Sequence, residues 1–259
     1  MSAVTALDTV PDRPVRDLVS PEEWETRVNL AACYRLTALY GMTDLTATHI
    51  SARVPGVEGQ FLINPHGMFF DEITASSLVK VDHDGNILLP SPYPVNKAGY
   101  VIHSAIHAAR PDVDCVLHTH TRAGMAVSAM ECGLLSISQH SMRFYNRLGY
   151  HDYEGLAQDE DEKKRLVRDL GTHRAMILRN HGLLSAGRTV AEAFSLIHYL
   201  EKCCQSQIDA LSGGQKLTIP PGQVCEHTAR QYEEFGILGT RDWPGHLRRL
   251  DKLDPSYKE

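Results

Sequence analysis

The sequence predicts one layered α/β domain built on a mixed β-sheet, and three observations point that way. Short apolar runs of strand length alternate irregularly with longer helical stretches between about residues 20 and 211. No internal repeat, low-complexity tract or convincing domain linker breaks that stretch. A chain of 259 residues can also bury a sizeable core without dividing.

In chain order, residues 1–19 hold prolines and turn formers with little periodicity and read as an extended arm. Ser20-Pro21-Glu22-Glu23 opens a helix: Ser20 caps it, Pro21 suits the first turn and Glu23 completes a capping box. That helix should run to about Tyr40 and stop before Gly41. Residues 48–54 and 61–64 read as strands around the Pro55-Gly56 turn, and 78–89 as a hairpin turning at Asp84-Gly85. A helix over 96–109 ends ahead of Pro111, followed by a buried strand over 113–117 and a short helix over 121–130. Residues 175–179 and 183–185 read as strands. Thr189 and Glu192 form a second capping box, opening a helix to about Leu211. The domain is thus expected over 20–211. Residues 212–259 form a polar tail with one helix over 228–235, expected to pack on the domain or on a neighbouring subunit.

Composition excludes several function classes. The net charge of −6, with no Lys/Arg block, argues against a nucleic-acid partner or an anionic membrane surface. No apolar run approaches the roughly 20 residues of a membrane span. The N-terminal segment lacks a signal-peptide core and is too acidic for a transit peptide, so the expected location is cytoplasmic. The six cysteines contain no C-x-x-C pair and read as reduced thiols, mostly small core residues.

The segment VLHTHT carries the chemistry. Side chains alternate along a strand, so His118 and His120 project from one face at the strand end, with Thr119 on the other. A distant Asn180-His181-Gly182 offers a third imidazole, and Gly182, lacking a Cβ, permits close backbone approach. Three imidazoles can hold a divalent metal facially and leave positions open, the mark of a catalytic metal site.

THISARVPG (48–56), FLINPHGMFFDEITASSLVKVDHDGNIL (61–88), NKAGYVIHSAIHAARPDVDCVLHTHT (96–121) and LRNHGLLSAGRTVAEAF (178–194) resemble the class II aldolase/adducin family, in the family's order. The resemblance implies an α/β fold of three layers, α/β/α, with a mixed, mostly antiparallel central sheet. It implies a homo-oligomer, commonly a tetramer, with active sites near subunit interfaces, and a small-molecule substrate. His118, His120 and His181 match the family's metal ligands. One divalent ion per chain is expected, zinc first, with iron or manganese as alternatives. Such an ion polarises carbonyl and hydroxyl oxygens and stabilises an enolate.

The chain also departs from the family's sugar-phosphate aldolases. Their Ser-Glu pair upstream of H-x-H falls on Ala98 and Gly99, and glycine transfers no proton. The Asn of their phosphate clamp falls on His49. A phosphorylated sugar is therefore not the expected substrate. His103, one helical turn after Gly99, is the first candidate for acid/base work, with a backbone-bonded helix histidine as its plainer reading. His49 and the vacated position Gly99 are candidate substrate contacts. In the run 138–155, Tyr145 or Tyr150 would act as a proton donor, and Arg143 or Arg147 would hold a carboxylate bidentately. Each is otherwise a packing or surface residue. Glu72 reads as a turn residue, and Asp159–Lys164 as a solvated helix start.

The chain lies nearer the adducin-like branch, whose animal members are cytoskeletal and lack the metal histidines. Retention of all three argues against a purely structural role. The first expectation is a metal-dependent lyase for a small unphosphorylated hydroxy- or keto-acid. The alternatives are a non-haem Fe(II) oxygenase or decarboxylase of an α-keto acid, and a non-catalytic assembly protein with a structural metal.

Overall fold

Local chemistry starts the first helix as expected. In the computed structural model, which describes residues 13–95, 97–155 and 160–259, α1 (Pro21–Leu39) begins where the Ser20 hydroxyl accepts from the Glu23 amide at 3.1 Å. It gives way to Gly41 at φ +68°, a left-handed conformation that favours glycine. Most of the expected arm, together with Asn96 and Asp159, lies outside the described residues. The Glu23 carboxylate turns away from the capping box. It is buried and takes Arg27 Nε at 3.0 Å and Lys80 Nζ at 2.8 Å. Arg27, also buried, donates to the Ala75 and Leu78 carbonyls at 3.2 and 2.8 Å. This polar cluster ties α1 to the segment that enters the third strand.

Among the described residues, seven strands form one sheet: β1 (Ile50–Arg53), β2 (Gln60–Ile63), β3 (Val79–Asp82), β4 (Cys115–Thr119), β5 (Leu148–His151), β6 (Ala175–Leu178) and β7 (Gly182–Gly187). Their order is β3-β2-β1-β4-β7-β6-β5, with only β5–β6 parallel. The sheet is therefore mixed and mostly antiparallel, as expected. The further helices are α2 (Lys97–Ala109), α3 (Arg122–Ser128), α4 (Gln139–Met142), α5 (Glu160–Leu170), α6 (Val190–Ser212), α7 (Gly222–Glu234) and α8 (Trp243–Leu253).

The period-two alternation of the strands separates two cores. Cys115, Leu117, Ala175, Ile177 and Leu183 pack with α1 and α6 on one face. Val116, Met176, Leu178 and Leu184 pack with Ile102 and Ile106 of α2 and Leu166 and Leu170 of α5 on the other. The result is three layers, α/β/α.

Several elements differ from expectation. β4 extends to Thr119, so His118 lies inside the strand rather than beyond it. The 78–89 hairpin is reduced to β3 and a single bridge, Val81 to Ile87. β5 was hidden in a run dense in His, Tyr and Arg. Its four residues, LGYH, place only Leu148 and Tyr150 on the core face, too short an alternation to read, and the strand pairs in parallel with β6. The tail helix α7 begins at Gly222, earlier than expected, and α8 was not anticipated at all. α8 packs against α1, burying Trp243 and Leu250, and the Trp243 indole donates to Asn29 Oδ1 at 2.7 Å. No helix among the described residues is long and apolar enough to cross a membrane.

Removing one partner of a buried charge cluster strands the other. Arg27→Ala is therefore expected to lower the unfolding free energy by about 3–5 kcal/mol. Urea denaturation followed by circular dichroism measures this, and a loss under about 1 kcal/mol would contradict the anchoring role given to Arg27.

Candidate functional site

The site forms where β4 ends beside the start of β7. Their antiparallel register sets His118 against Leu184 and Thr119 against Leu183. The β6–β7 turn carries Asn180 at φ +55°, a left-handed conformation sparse for a non-glycine residue, and delivers His181 immediately before β7. Gly182 is required there. A Cβ on it would lie 2.3 Å from the Thr119 carbonyl oxygen and 3.2 Å from the His120 ring.

Three Nε2 atoms converge. His118 Nε2 lies 2.8 Å from His120 Nε2, which lies 2.9 Å from His181 Nε2. The outer nitrogens are held as well. His118 Nδ1 lies 2.9 Å from the Leu183 carbonyl oxygen, and His120 Nδ1 lies 2.9 Å from Asp44 Oδ2. A carbonyl or carboxylate only accepts, so both Nδ1 atoms carry the proton and, in neutral rings, both Nε2 atoms carry lone pairs. Two lone pairs facing at 2.8 Å call for a cation between them. Protonation is disfavoured. Burial, then His181 and His120, holds His118 well below the usual imidazole range. Burial, then His120 and His151, pulls His181 down to about 4. Neutral imidazoles with Nδ1–H bonded to a carbonyl or carboxylate are the arrangement in which histidine ligates metal ions, so the donor set fits a divalent metal.

The remaining sequence candidates are distributed unevenly. His49, just ahead of β1, is buried, and its carbonyl accepts from the His118 amide at 3.2 Å. Its Nε2 has no hydrogen-bond partner. Burial, then His66 and His120, lowers its pKa to about 4. His103 lies in α2, four residues after Gly99, with its ring centroid 6.2 Å from that of His49. Its Nδ1 is 2.7 Å from Ser51 Oγ, which is also 2.8 Å from His107 Nε2, and its own Nε2 is buried without a partner. Its plainer reading, a backbone-bonded helix histidine, is not what is seen.

The candidates from 138–155 lie elsewhere in the subunit. The Tyr145 hydroxyl sits where a Cβ on Gly222, the first residue of α7, would come within 2.8 Å. The Arg143 guanidinium is stacked between Tyr199 and Tyr232, at 4.0 and 4.3 Å from the ring centroids. Arg147 is taken by Glu226 and Glu233 of its own chain. Tyr150 accepts from the Leu134 amide at 3.0 Å. Glu72 is the expected turn residue, accepting from the Phe69 amide.

Two contributions escaped sequence reasoning. Asp44, 76 residues before His120, gives no spacing signal. It sits beside Leu45, which is 71% exposed and left-handed at φ +45°, a conformation sparse for leucine. Tyr153 brings its ring centroid to 6.4 Å from that of His181.

The sequence model of the Class II Aldolase and Adducin N-terminal domain matches residues 28–208. The chain belongs to the class II aldolase/adducin family. A crystal structure of an aldolase II superfamily protein from Pseudomonas syringae is 53% identical, with a TM-score of 0.90, over 95% of this chain and 99% of that one. L-fuculose 1-phosphate aldolase from Glaciozyma antarctica is 27% identical, with a TM-score of 0.81, over 98% of each chain. Alpha-adducin of Rattus norvegicus is 48% identical over 243 residues, which span 88% of this class II aldolase/adducin chain and 33% of the adducin.

Two outcomes are expected. Gly182→Ala should cost about 1–3 kcal/mol in stability by forcing β4 and β7 apart, read as a lowered Tm. Unchanged melting would show that the contact at Thr119 relaxes freely. The second concerns pH. His49 and His107 titrate near 4 and 3 when folded and near 6.5 when unfolded, so the unfolded chain takes up protons first. Stability is complete above pH 6.5 and declines as pH falls toward 4. Melting temperatures of chelator-treated protein between pH 7.5 and 4.5 test this, and a flat profile would overturn it.

Proposed function

We propose that His118, His120 and His181 hold one divalent metal ion, zinc first, and that the protein is a metal-dependent lyase for a small unphosphorylated hydroxy- or keto-acid. The observation that carries this is the facing pair of Nε2 lone pairs, each fixed by an acceptor on its own Nδ1–H. Likeness to the Glaciozyma antarctica aldolase supports the reaction class. When bound, such an ion supplies Lewis acidity that polarises a carbonyl or hydroxyl oxygen.

The chain's own groups would do the rest. Asp44 and the Leu183 carbonyl keep two rings aimed. Ser51 has one proton to give. If it donates to His107 Nε2 and accepts from His103 Nδ1–H, the unpartnered His103 Nε2 carries a lone pair able to take a proton from substrate. That assigns His103 the base role which Gly99 cannot fill. His49 Nε2, likewise unpartnered, is a polar contact for the substrate where a phosphate clamp would need Asn. Tyr145 and Arg143 would reach a site only in another subunit of a homo-oligomer, which we propose as the working assembly.

The kinship with alpha-adducin favours a second reading, a non-catalytic assembly protein with a structural metal. Elemental analysis of protein purified without a chelating tag, followed by oxygen-electrode and aldehyde-release assays on hydroxy- and keto-acids, separates the readings. About one zinc or manganese per chain, retro-aldol turnover without oxygen, and loss of both in His118→Ala are expected. Iron with keto-acid-dependent oxygen uptake would replace the lyase reading with an oxygenase. Substoichiometric metal of every kind would overturn the metal site.

A further inference from the structure

Two of the three triad histidines have a direct acceptor for the outer ring nitrogen. Among the described residues, His181 shows none for its Nδ1. A second histidine lies close behind it. His151, the last residue of β5, is 4% exposed and pairs with Leu178 across the parallel β5–β6 register. The same turn binds both residues: the His181 amide donates to the Leu178 carbonyl at 3.1 Å, and the Arg179 amide to the His151 carbonyl at 2.8 Å. His151 Nδ1 lies 2.8 Å from Asp169 Oδ2. The carboxylate can only accept, so Nδ1 carries the proton and, in the neutral ring, Nε2 carries a lone pair. That Nε2 is buried and has no partner.

A small cavity of about 10 Å³ is lined by both His151 and His181, with Tyr153, Arg179 and Ile102. A space of roughly 10–15 Å³ holds a single water. Glu154, also on its wall, is engaged by Arg165. The placement is built in: a Cβ on Gly149 would meet the Asp169 carbonyl oxygen at 2.8 Å, so glycine in β5 lets the end of α5 approach closely enough for Asp169 to reach His151.

We propose that the Asp169–His151 pair is the positioning device for the third ligand, acting through one water. The water accepts from His181 Nδ1–H and donates to His151 Nε2, whose own Nδ1–H is held by Asp169. His181 would then present Nε2 to the metal in a fixed orientation, as the Leu183 carbonyl and Asp44 arrange for His118 and His120. The inference rests on the triad being a metal site.

The test is the affinity of the full chain for Co(II) and Zn(II), measured by competition with a chromogenic chelator, in wild type and in His151→Ala, His151→Phe and His151→Gln. Partners in this position typically change metal affinity 10–100-fold. His151→Ala and His151→Phe are expected to weaken both ions about 10-fold or more and to alter the Co(II) absorption spectrum. His151→Gln, whose side-chain oxygen can accept, should recover part of the loss. Phenylalanine keeps the ring volume, so it guards against simple collapse of the core. A merely structural role would lower the melting temperature of the metal-free variants and leave the affinity alone. Equal affinity in wild type, His151→Ala and His151→Phe would overturn this inference while leaving the triad reading intact. Absence of metal binding by wild type would overturn both.

Discussion

The antiparallel pairing of β4 with β7 is the constraint on which the rest depends. These are interior strands of the seven-stranded sheet, and their register fixes which residues meet at one end. Along β4, Val116 faces the α2/α5 core while Cys115 and Leu117 face the α1/α6 core. A slip of one residue would exchange these sets and turn the histidines to the opposite face. The same interaction therefore fills two cores and aims the site. Gly182 marks how closely it is drawn, since a side chain there would collide with the end of β4.

Around this pairing, buried polar groups are held in place rather than excluded. Arg27, Glu23 and Lys80 join α1 to the entry of β3. The Thr121 hydroxyl caps α3 by accepting from the Gly124 amide and donates to the buried Glu201 of α6. The helix following the H-x-H segment is thus anchored from both sides. Ser51 joins His103 to His107 across the α2–sheet interface. An unpaired polar group in such surroundings costs about 1–3 kcal/mol, and the groups buried without a partner include nitrogens of His49, His103 and His151. All three lie around the triad in sequence or in space, where a ligand or a water can complete them.

Burial also sets the chemistry. It keeps His118 and His181 neutral at physiological pH, which is the form that ligates, and it withholds the proton that would otherwise relieve the convergence of lone pairs. The family contains an aldolase of a sugar phosphate and the adducins, so membership alone leaves the reaction open. This chain combines an intact histidine triad, glycine at position 99 and a buried histidine at position 49.

The sequence by itself determined the elements whose cause is local. Ser20 and Thr189 as caps, the helix over α2, the alternation of β4 and the same-face spacing of His118 and His120 all follow from side chains within a few residues of one another. The third histidine of the cluster was legible because Gly182 stands next to it. Tertiary structure alone decided what depends on distant partners. β5 offers only Leu148 and Tyr150 as an alternating pair and is completed by its pairing with β6. α8 is held by contacts with α1, more than 200 residues earlier. Asp44 meets His120, and Asp169 meets His151, only because the sheet closes loops between them. Arg143 and Tyr145, read from the sequence as a carboxylate-binding residue and a proton donor, are drawn into packing by α6 and α7. Periodicity and capping act over one or two turns and can be read from a string of residues. Orientation of an imidazole's outer nitrogen acts across the fold, and no spacing in the chain records it.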